Sequence, residues 1–299
     1  MLKIIFFSVK LYLYAKISVV RIMAESEKTM QKNIPLPKLS IIMPSFNSGR
    51  FIREAIDSVL SQDYPWLELI VMDGGSTDGT ITILESYGNK IRWSSGKDRG
   101  QGHALNKGFA IASGEILGWL NADDLYEPGC LLAMGNFFNQ HPEIFWASGY
   151  CSIIDESGKE IRKFITRYKT WRLRHYRYNH LLTENFLPQM GIFFRKSALA
   201  WAGQIDETLY YAMDYDLWLR LGKIEDPGFI NQKIGKFRMY STTKTMSGYR
   251  KGFQEDFSVS KRYSRQKPWL IPLHRLNNLK IVAIYTLLNF FSVLKIKKP

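Results

Sequence analysis

The stretch Gly114–Tyr126, GEILGWLNADDLY, decides how the rest of the chain is interpreted. It begins with the apolar run Ile116–Leu120, long enough for one buried strand, and ends in NADD at 121–124. Open α/β sheets bind ligands beyond the carboxyl ends of their strands. Two adjacent carboxylates repel each other and need a cation nearby, and a hard divalent ion that also binds phosphate oxygens suits them. The alternative is a polar turn, because Asn and Asp favour turns and helix N-caps.

Strand and helix patterns alternate on the N-terminal side of this stretch. Apolar runs predict three further strands, at Leu39–Met43, Leu67–Met72 and Ile91–Trp93. Helical spacing of apolar residues predicts the intervening helices, at 49–61, 80–87 and 104–112. This alternation is typical of an α/β fold with a parallel sheet whose loops meet at one edge.

On the C-terminal side the pattern is less regular. It predicts a helix at 131–139, strands at 144–150, 152–155 and 188–195, and a helix that begins near Met213. The segment 159–178 is rich in Arg, Lys and aromatic residues. Two interpretations of it stay open: a solvated amphipathic segment, or a flap that contacts phosphate.

The net charge of +14 over 299 residues is concentrated at the two ends. Residues 1–39 carry seven Lys or Arg and two Asp or Glu, and residues 261–299 carry nine and none. The body between them is balanced, at 25 of each sign, which argues against a nucleic-acid partner. The two cysteines, Cys130 and Cys151, form no CxxC motif, which argues against structural zinc or a disulfide scaffold and suits a reducing cytoplasm.

Basic, apolar ends predict contact with an anionic membrane surface. The leader, residues 1–37, is interrupted by cations and is a poor transmembrane span, so it is either a surface helix or disordered. In the tail, residues 261–299, the apolar run 281–294 would be roughly 21 Å long as a helix, less than the roughly 30 Å of a bilayer core. It is therefore either an in-plane anchor or a terminal helix that packs on the domain.

Two long segments carry a family resemblance. Residues 40–80, SIIMPSFNSGRFIREAIDSVLSQDYPWLELIVMDGGSTDGT, and 97–126, KDRGQGHALNKGFAIASGEILGWLNADDLY, closely resemble family 2 glycosyltransferases of the GT-A fold. A weaker match continues through 193–222. The resemblance implies a Rossmann-like, mostly parallel central sheet flanked by helices, at 38–260. Its nucleotide-sugar half would be 38–126 and its acceptor half 127–260, followed by a helical, membrane-associating extension.

The resemblance also implies an activity: inverting transfer of one sugar from a nucleotide diphosphate sugar, most often a UDP-hexose, to an acceptor hydroxyl. Residues implied to line the nucleotide-sugar site are Pro44, Ser45, Phe46, Asn47, Asp73, Asp98, Asn106 and Asp123. Asp123 and Asp124 would hold a divalent metal, Mn or Mg. Asp214 matches the carboxylate proposed as general base, with Asp216 as the fallback. Expelling a nucleoside diphosphate builds up negative charge, which a metal can stabilise, and the acceptor hydroxyl must lose a proton to a carboxylate.

The chain departs from the family pattern at two positions. Asn121 replaces the first Asp of the Asp-x-Asp signature, and Tyr240 stands where many relatives carry a His, so a third protein ligand to the metal is in doubt. The QxxRW signature of processive synthases is absent, which favours addition of a single sugar. An oxidoreductase is disfavoured because no GxGxxG motif follows the first strand. The remaining alternative is a nucleotide-sugar or membrane-binding protein that keeps the fold without turnover.

These expectations describe an enzyme of cell-envelope or exopolysaccharide biosynthesis. It would be cytoplasmic and peripheral at the inner face of the cell membrane, where a carbohydrate or lipid-linked acceptor is held.

Overall fold

The computed structural model describes residues 35–296, with side chains described through residue 284 and at 286. The strands are β1 (Leu39–Ser45), β2 (Leu67–Asp73), β3 (Arg92–Ser95), β4 (Ile116–Trp119), β5 (Leu125–Tyr126), β6 (Trp146–Ile154), β7 (Glu160–Ile161), β8 (Ile192–Arg195) and β9 (Gly228–Arg238). They form one sheet in the order β3-β2-β1-β4-β8-β6-β9-β5, with β7 paired to β6.

Helices cover this sheet. They are α1 (Ile52–Leu60), α2 (Thr80–Glu85), α3 (Gln101–Ile111), α4 (Cys130–Gln140), α5 (Lys163–Arg174), α6 (Tyr178–Leu181), α7 (Ala198–Ala202), α8 (Met213–Ile224), α9 (Lys244–Tyr263) and α10 (Leu270–Ile296). Short 3-10 turns occur at Gly88–Lys90 and Gln189–Gly191. The predicted α/β architecture is confirmed.

Strand β1 is the centre of the sheet's N-terminal half. All of its residues are buried, and it pairs in parallel with β2 on one side and β4 on the other. Parallel strands end at the same edge, so the residues that follow β1, β2 and β4 converge there. The sequence places Ser45, Asp73 and the acidic loop at 121–124 at this edge, as predicted.

Pro44 lies inside β1 and does not end it. Its neighbour on one side is Met72 of β2. Residues two apart on a strand direct their main-chain N–H and C=O groups to the same side. The N–H that proline lacks would therefore point toward β4, as the main-chain groups of Ile42 do. Strand β4 has already ended there, because Trp119 is the partner of Ile42. A proline is therefore tolerated in a central strand at this position.

Helix α3 sits directly on β1 and β2. Its buried residues include Ala104, Leu105 and Phe109. At Gly108 an added Cβ would lie 2.5 Å from a methyl carbon of Ile42, so only glycine allows this close approach. The short distance between helix and sheet fixes the start of α3, which borders the ligand edge.

The C-terminal half differs in detail from the prediction. The two strands expected at 144–150 and 152–155 are one strand, β6, with a register shift against β9 near Tyr150. Only 192–195 of the strand predicted at 188–195 is extended, and the segment 159–178 contains β7 and α5. Strand β9 was not predicted, because many of its residues are polar and only part of it is buried.

The C-terminal helix begins at Leu270, eleven residues before the run at 281–294 that predicted it. From Pro37 onward the chain forms one compact unit that includes this helix. Among residues 35–296, no helix combines the length and apolar character needed to cross a bilayer. The leader expected at 1–37 lies almost entirely outside the described residues.

Candidate active site

A cavity of about 920 Å³ opens at the carboxyl ends of β1 and β4. The first turns of α8 and α9 contribute to its wall through Asp214 and Lys244. The predicted site residues that line it are Pro44, Ser45, Phe46, Asn47, Asp98, Asp123 and Asp214. The sheet edge and the distant helix α8 therefore contribute to one cavity.

The loop after β1 forms the nucleotide side of the cavity. Ser45 is buried, yet its hydroxyl has no hydrogen-bond partner. An unsatisfied buried hydroxyl in a cavity wall is a natural contact for a polar ligand. Phe46 beside it exposes its ring, and Asn47 holds the loop by accepting from the N–H of Thr77 at 2.9 Å.

Asp73 was expected to line the nucleotide-sugar site, but the structure places it behind the cavity wall. Its carboxylate is buried and does not line the cavity. It accepts from the N–H groups of Gly75 and Ser76, both at 2.9 Å, and from the hydroxyls of Ser76 and Ser95. Burial alone would raise its pKa, but these hydrogen bonds outweigh it and hold the pKa below the usual value. Asp73 therefore shapes the 74–76 turn, and Gly74 presents the main chain to the cavity.

The two aspartates after β4 have separate roles. Asp123 faces the cavity, and its Oδ2 accepts from the Tyr240 hydroxyl at 3.0 Å. Asp124 is fully buried and outside the cavity wall, and it accepts from the N–H of Arg238 at 2.8 Å and from Asn121 Nδ2 at 3.0 Å. Burial, and then the charge of Asp123, raise its pKa well above the usual value. Asp124 is therefore not placed to contact a metal in the cavity, and a metal contact from Asp123, which lines the cavity, stays a prediction.

A buried arginine supplies a cation beside the acidic pair. Arg238 is fully buried at the end of β9, and its guanidinium lies 4.5 Å from the centroid of the Phe51 ring. It donates to the carbonyls of Asp123 at 3.0 Å and Glu156 at 2.9 Å and to the carboxylate of Glu54 at 2.6 Å. The two adjacent carboxylates predicted a nearby cation, and the guanidinium of Arg238 supplies part of that positive charge.

Asn121, which replaces the first signature aspartate, acts as both donor and acceptor. Its Nδ2 donates to Asp124 at 3.0 Å and to Gln189 Oε1 at 3.1 Å. Its Oδ1 accepts from Trp119 Nε1 and Gln101 Nε2, both at 2.9 Å. An ionised aspartate has no N–H and could not donate to Asp124 and Gln189, so the local hydrogen bonds require the amide of Asn121.

Restoring the family residue with Asn121→Asp should therefore destabilise the fold. The change removes the donor to the buried Asp124 and adds a like charge beside it, which should cost about 2 kcal/mol or more at neutral pH. Urea unfolding measures this cost. Asn121→Ala, which removes the donor without adding charge, should cost less. Equal stability of Asn121→Asp and wild type would show that Asn121 does not hold Asp124.

Asp98 and Asn106 were expected to flank the donor together. Asp98 does line the cavity, and its Oδ1 accepts from the N–H of Gly100 at 2.7 Å. Asn106 is buried outside the cavity wall. It bonds both main-chain groups of Ile205 and the carboxylate of Glu207, at 2.9 to 3.0 Å. The donor contact expected of Asn106 is therefore not supported, since it fastens α3 to the 205–207 loop.

Two carboxylates were considered for the general base, and only one reaches the cavity. Asp214 lines it and accepts from the N–H of Tyr215 at 2.7 Å. Burial raises its pKa, with that N–H and the charges of Lys244 and Lys169 acting against the rise. Asp216 is buried outside the cavity wall, where it accepts from Arg220 Nε at 2.9 Å and from the Tyr263 hydroxyl at 2.7 Å. The fallback role of Asp216 is therefore not supported.

The charged residues of the cavity that the sequence reasoning missed include Lys244 and Asp256. Lys244 begins α9, and its Nζ donates to Gln101 Oε1 at 2.9 Å and lies 4.0 Å from the centroid of the Tyr210 ring. Burial lowers its pKa to about 8, with Asp214 and Glu255 acting in the opposite direction. Asp256 lies on the same helix, and burial followed by the charge of Asp214 raises its pKa well above the usual value.

One of these residues left a recognisable signal. A cation in the first turn of a helix opposes the helix dipole, so Lys244 after the N-cap Thr243 is unfavourable unless another partner uses its charge. Asp256 has no comparable signal in the sequence, because its position depends on how α9 crosses α8.

The family resemblance implies a divalent metal, which would bind to oxygen ligands near Asp123. No group of three or more His, Cys, Asp or Glu side chains in the described part of the chain is arranged to hold a metal ion. Mg²⁺ does not require such a cage, because it is usually bound by one or two carboxylates together with substrate phosphates and water. A single cavity-facing carboxylate, Asp123, fits that mode of binding.

Comparisons with known proteins identify the family and the fold. Residues 40–200 match the family described as Glycosyl transferase family 2. An uncharacterized glycosyltransferase of Rickettsia typhi is 34% identical over 223 residues, which cover 72% of this chain and 68% of that protein. Most of the described sheet lies within these matches.

Two solved structures share the fold at lower identity. S. aureus TarS in complex with UDP-GlcNAc superimposes with a TM-score of 0.59 at 20% identity, over 74% of this chain and 65% of that chain. A mannosyltransferase of Pyrobaculum calidifontis in complex with GDP-Man and Mn²⁺ gives a TM-score of 0.58 at 18% identity, over 93% and 88%. These structures share the fold, while the family match over more than half of its length and the relative at 34% identity show that the chain belongs to the family 2 glycosyltransferases.

Proposed function

We propose that the protein transfers a single sugar, with inversion, from a nucleotide diphosphate sugar to a hydroxyl of a carbohydrate or lipid-linked acceptor. UDP-hexose is the donor we expect. The observation that carries the proposal is the shared cavity, which Ser45, Asp123 and Asp214 line from three separate parts of the chain. UDP-GlcNAc and GDP-Man bound to proteins of the same fold support a donor of this class.

In this proposal the donor lies along the sheet edge. The unsatisfied hydroxyl of Ser45 and the exposed ring of Phe46 contact the nucleoside, the former by hydrogen bonding and the latter by stacking. Asp98 and the main chain at Gly74 border the same side of the cavity. These groups bind and orient the donor.

The diphosphate would lie between Asp123 and Lys244. A divalent metal bound to Asp123 would supply Lewis-acid stabilisation of the departing nucleoside diphosphate. Lys244 is a second, protein-borne positive charge in this cavity, already linked through Gln101 to Asn121 of the acidic loop. A desolvated cation next to a leaving group that gains negative charge stabilises the transition state more than the ground state.

Asp214 takes the proton. The acceptor hydroxyl attacks the anomeric carbon from the face opposite the diphosphate, and the carboxylate removes its proton as the new bond forms. Asp214 lies on α8, whereas the acidic loop follows β4, and both line one cavity. The proton acceptor and the contact to the departing diphosphate must lie on different sides of the donor sugar, and two separate elements allow this. The raised pKa of Asp214 makes it a stronger base than an exposed carboxylate.

The wider setting remains part of the proposal. We place the reaction in cell-envelope or exopolysaccharide biosynthesis, in the cytoplasm, with the enzyme held at the inner face of the membrane near its acceptor. Its support is the charge distribution, since the excess of Lys and Arg lies at the two ends of the chain.

Thermal shift with a panel of nucleotide sugars and Mn²⁺ tests the donor class, because a ligand that binds only the folded state raises its melting temperature. UDP-hexoses should stabilise the protein and release UDP when an acceptor is present. Asp123→Ala should lose the Mn²⁺-dependent part of that stabilisation. Donor binding without release of nucleoside diphosphate, across acceptors, would favour the non-catalytic alternative. Absence of stabilisation by every nucleotide sugar would contradict the proposed donor class.

Lys244→Gln tests the second positive charge. We expect turnover to fall by about 10²-fold, because a preorganised cation of this kind is worth roughly 3 kcal/mol in the transition state. Measured in parallel with Mn²⁺ and with EDTA, the variant should lose activity in both conditions if Lys244 acts independently of the metal. Lys97→Gln, also at the cavity wall, is the matched control. Equal activity of Lys244→Gln and wild type would remove Lys244 from the mechanism.

A further inference from the structure

The C-terminal helix α10 attaches to the rest of the protein largely through polar side chains. Asn277 donates to the carbonyl of Thr183 at 3.1 Å, and Asn278 donates to that of Phe253 at 2.7 Å. His274 is fully buried, with Nδ1 at 2.9 Å from the Leu182 carbonyl. Leu270, at the start of the helix, is its one buried aliphatic side chain within the described residues.

The opposite side of this segment is apolar and exposed. Trp269 is 66% exposed, Leu273 49%, Leu276 47% and Leu279 61%. Trp269 directly precedes α10, and the three leucines follow one another at intervals of three residues in a stripe along one side of that helix. A surface helix ordinarily turns such a stripe toward the core and its polar side toward water. Here the arrangement is reversed, and an exposed apolar stripe of this kind marks an interaction surface.

Exposed cations lie on the same part of the chain. Arg275 and Lys280 are on α10, Arg265 lies in the turn before it, and Lys261 is near the end of α9. Over residues 261–299 the sequence has nine Lys or Arg and no Asp or Glu. The partner of this surface must therefore accept leucine and tryptophan side chains in its interior and positive charge around them.

We propose that the Trp269–Leu279 stripe seats α10 in the plane of an anionic lipid surface. Leucines and a tryptophan would enter the boundary between headgroups and acyl chains, with Lys and Arg on the anionic headgroups, as amphipathic interfacial helices do. A second copy of the chain fits less well, because a two-fold interface brings each patch against itself and would oppose the same cations. The link to a lipid-linked acceptor, which would lie at the same lipid surface, rests on the proposed function. The docking of α10 itself does not.

Vesicle co-sedimentation of the full chain tests the proposal. Wild type should bind vesicles of phosphatidylglycerol and phosphatidylcholine, bind phosphatidylcholine alone weakly, and lose affinity as salt is raised. Leu273→Gln combined with Leu276→Gln should weaken binding to the anionic vesicles about tenfold or more. The matched control is Leu132→Gln on α4, where the leucine is 47% exposed, and it should bind as wild type does.

Two results would overturn the proposal. One is a double variant that binds anionic vesicles as well as wild type, because binding would then come from another part of the chain. The other is a wild type that fails to bind vesicles but forms a dimer by light scattering, with the dimer lost in the double variant. Stabilisation by UDP-hexose is measured on the same preparations. Its retention in a variant that no longer binds vesicles separates failure of membrane docking from failure of the donor assignment.

Discussion

Replacing Asp214 by Asn should reduce turnover by about 10²- to 10⁴-fold while donor binding is retained. The substitution keeps the size of the side chain and the hydrogen bond from Tyr215, but an amide cannot take the proton of the acceptor hydroxyl. Asp214 is the one carboxylate of the predicted pair that reaches the cavity. Steady-state rates, with donor affinity measured by thermal shift, separate loss of chemistry from loss of binding.

The pH dependence gives a second measurement of the same residue. Burial raises the pKa of Asp214, and the N–H of Tyr215, Lys244 and Lys169 limit that rise. A base acts only when ionised, so kcat/KM should increase as pH rises through this pKa. The acid limb should lie above the ordinary carboxylate value of about 4. In Asp214→Asn this limb should disappear from the residual activity.

Two neighbouring carboxylates serve as controls for Asp214. Asp216→Asn breaks an ion pair with Arg220 outside the cavity, so it should lower stability more than the turnover of the folded fraction. Asp256→Asn removes a second carboxyl group of the cavity, whose pKa is raised by burial and then by the charge of Asp214. If Asp256→Asn abolishes turnover and Asp214→Asn leaves it intact, the base is Asp256 and the assignment to Asp214 is wrong.

The edge of the sheet that holds the site could be predicted from the sequence, because strand polarity determines where the loops meet. Apolar runs that end in polar residues identified β1, β2 and β4, and parallel strands end on one side. The family resemblance implied that Ser45, Phe46 and Asn47 line the nucleotide-sugar site, and all three line the cavity at this edge. The position of the edge itself needed only the order of the elements.

The direction of each side chain could not be predicted in the same way. Asp123 and Asp124 are adjacent, yet only the first faces the cavity, because the main-chain N–H of Arg238 and the amide of Asn121 hold the second. Asp73 likewise points into its own loop, where the N–H groups of Gly75 and Ser76 donate to it. Local donors compete for a carboxylate, and the sequence does not show which donors the fold brings near it.

The residues that β9 and α9 contribute to the site were harder still to predict from the sequence. Lys244 and Asp256 reach the cavity because β9 pairs with β6 and returns the chain to the acidic loop. The polar, partly exposed residues of β9 gave no strand pattern. A contact between residues 123 and 240 depends on this long-range pairing, which local periodicity does not contain.

Arg238→Met should cost about 3–5 kcal/mol of unfolding free energy, a large fraction of the roughly 5–15 kcal/mol that holds a typical domain together. Methionine fills most of the space over the Phe51 ring but cannot donate. The carbonyls of Asp123 and Glu156 would then lose the donor that the buried guanidinium supplies, and each carbonyl left buried and unpaired costs about 1–3 kcal/mol. Urea unfolding of the variant measures the loss directly.

The ion pair between Arg238 and Glu54 provides the control for this prediction. Glu54 accepts from Arg238, but its side chain is largely exposed, so Glu54→Gln should cost no more than about 1 kcal/mol. The contrast distinguishes a buried hydrogen-bonding role from a surface ion pair. Because Arg238 also fixes the main chain at Asp123, the folded fraction of Arg238→Met should bind Mn²⁺ and UDP-hexose more weakly than Glu54→Gln does. If the two variants are equally stable and bind the donor equally, Arg238 does not organise the acidic loop, and the rigidity of that loop has another source.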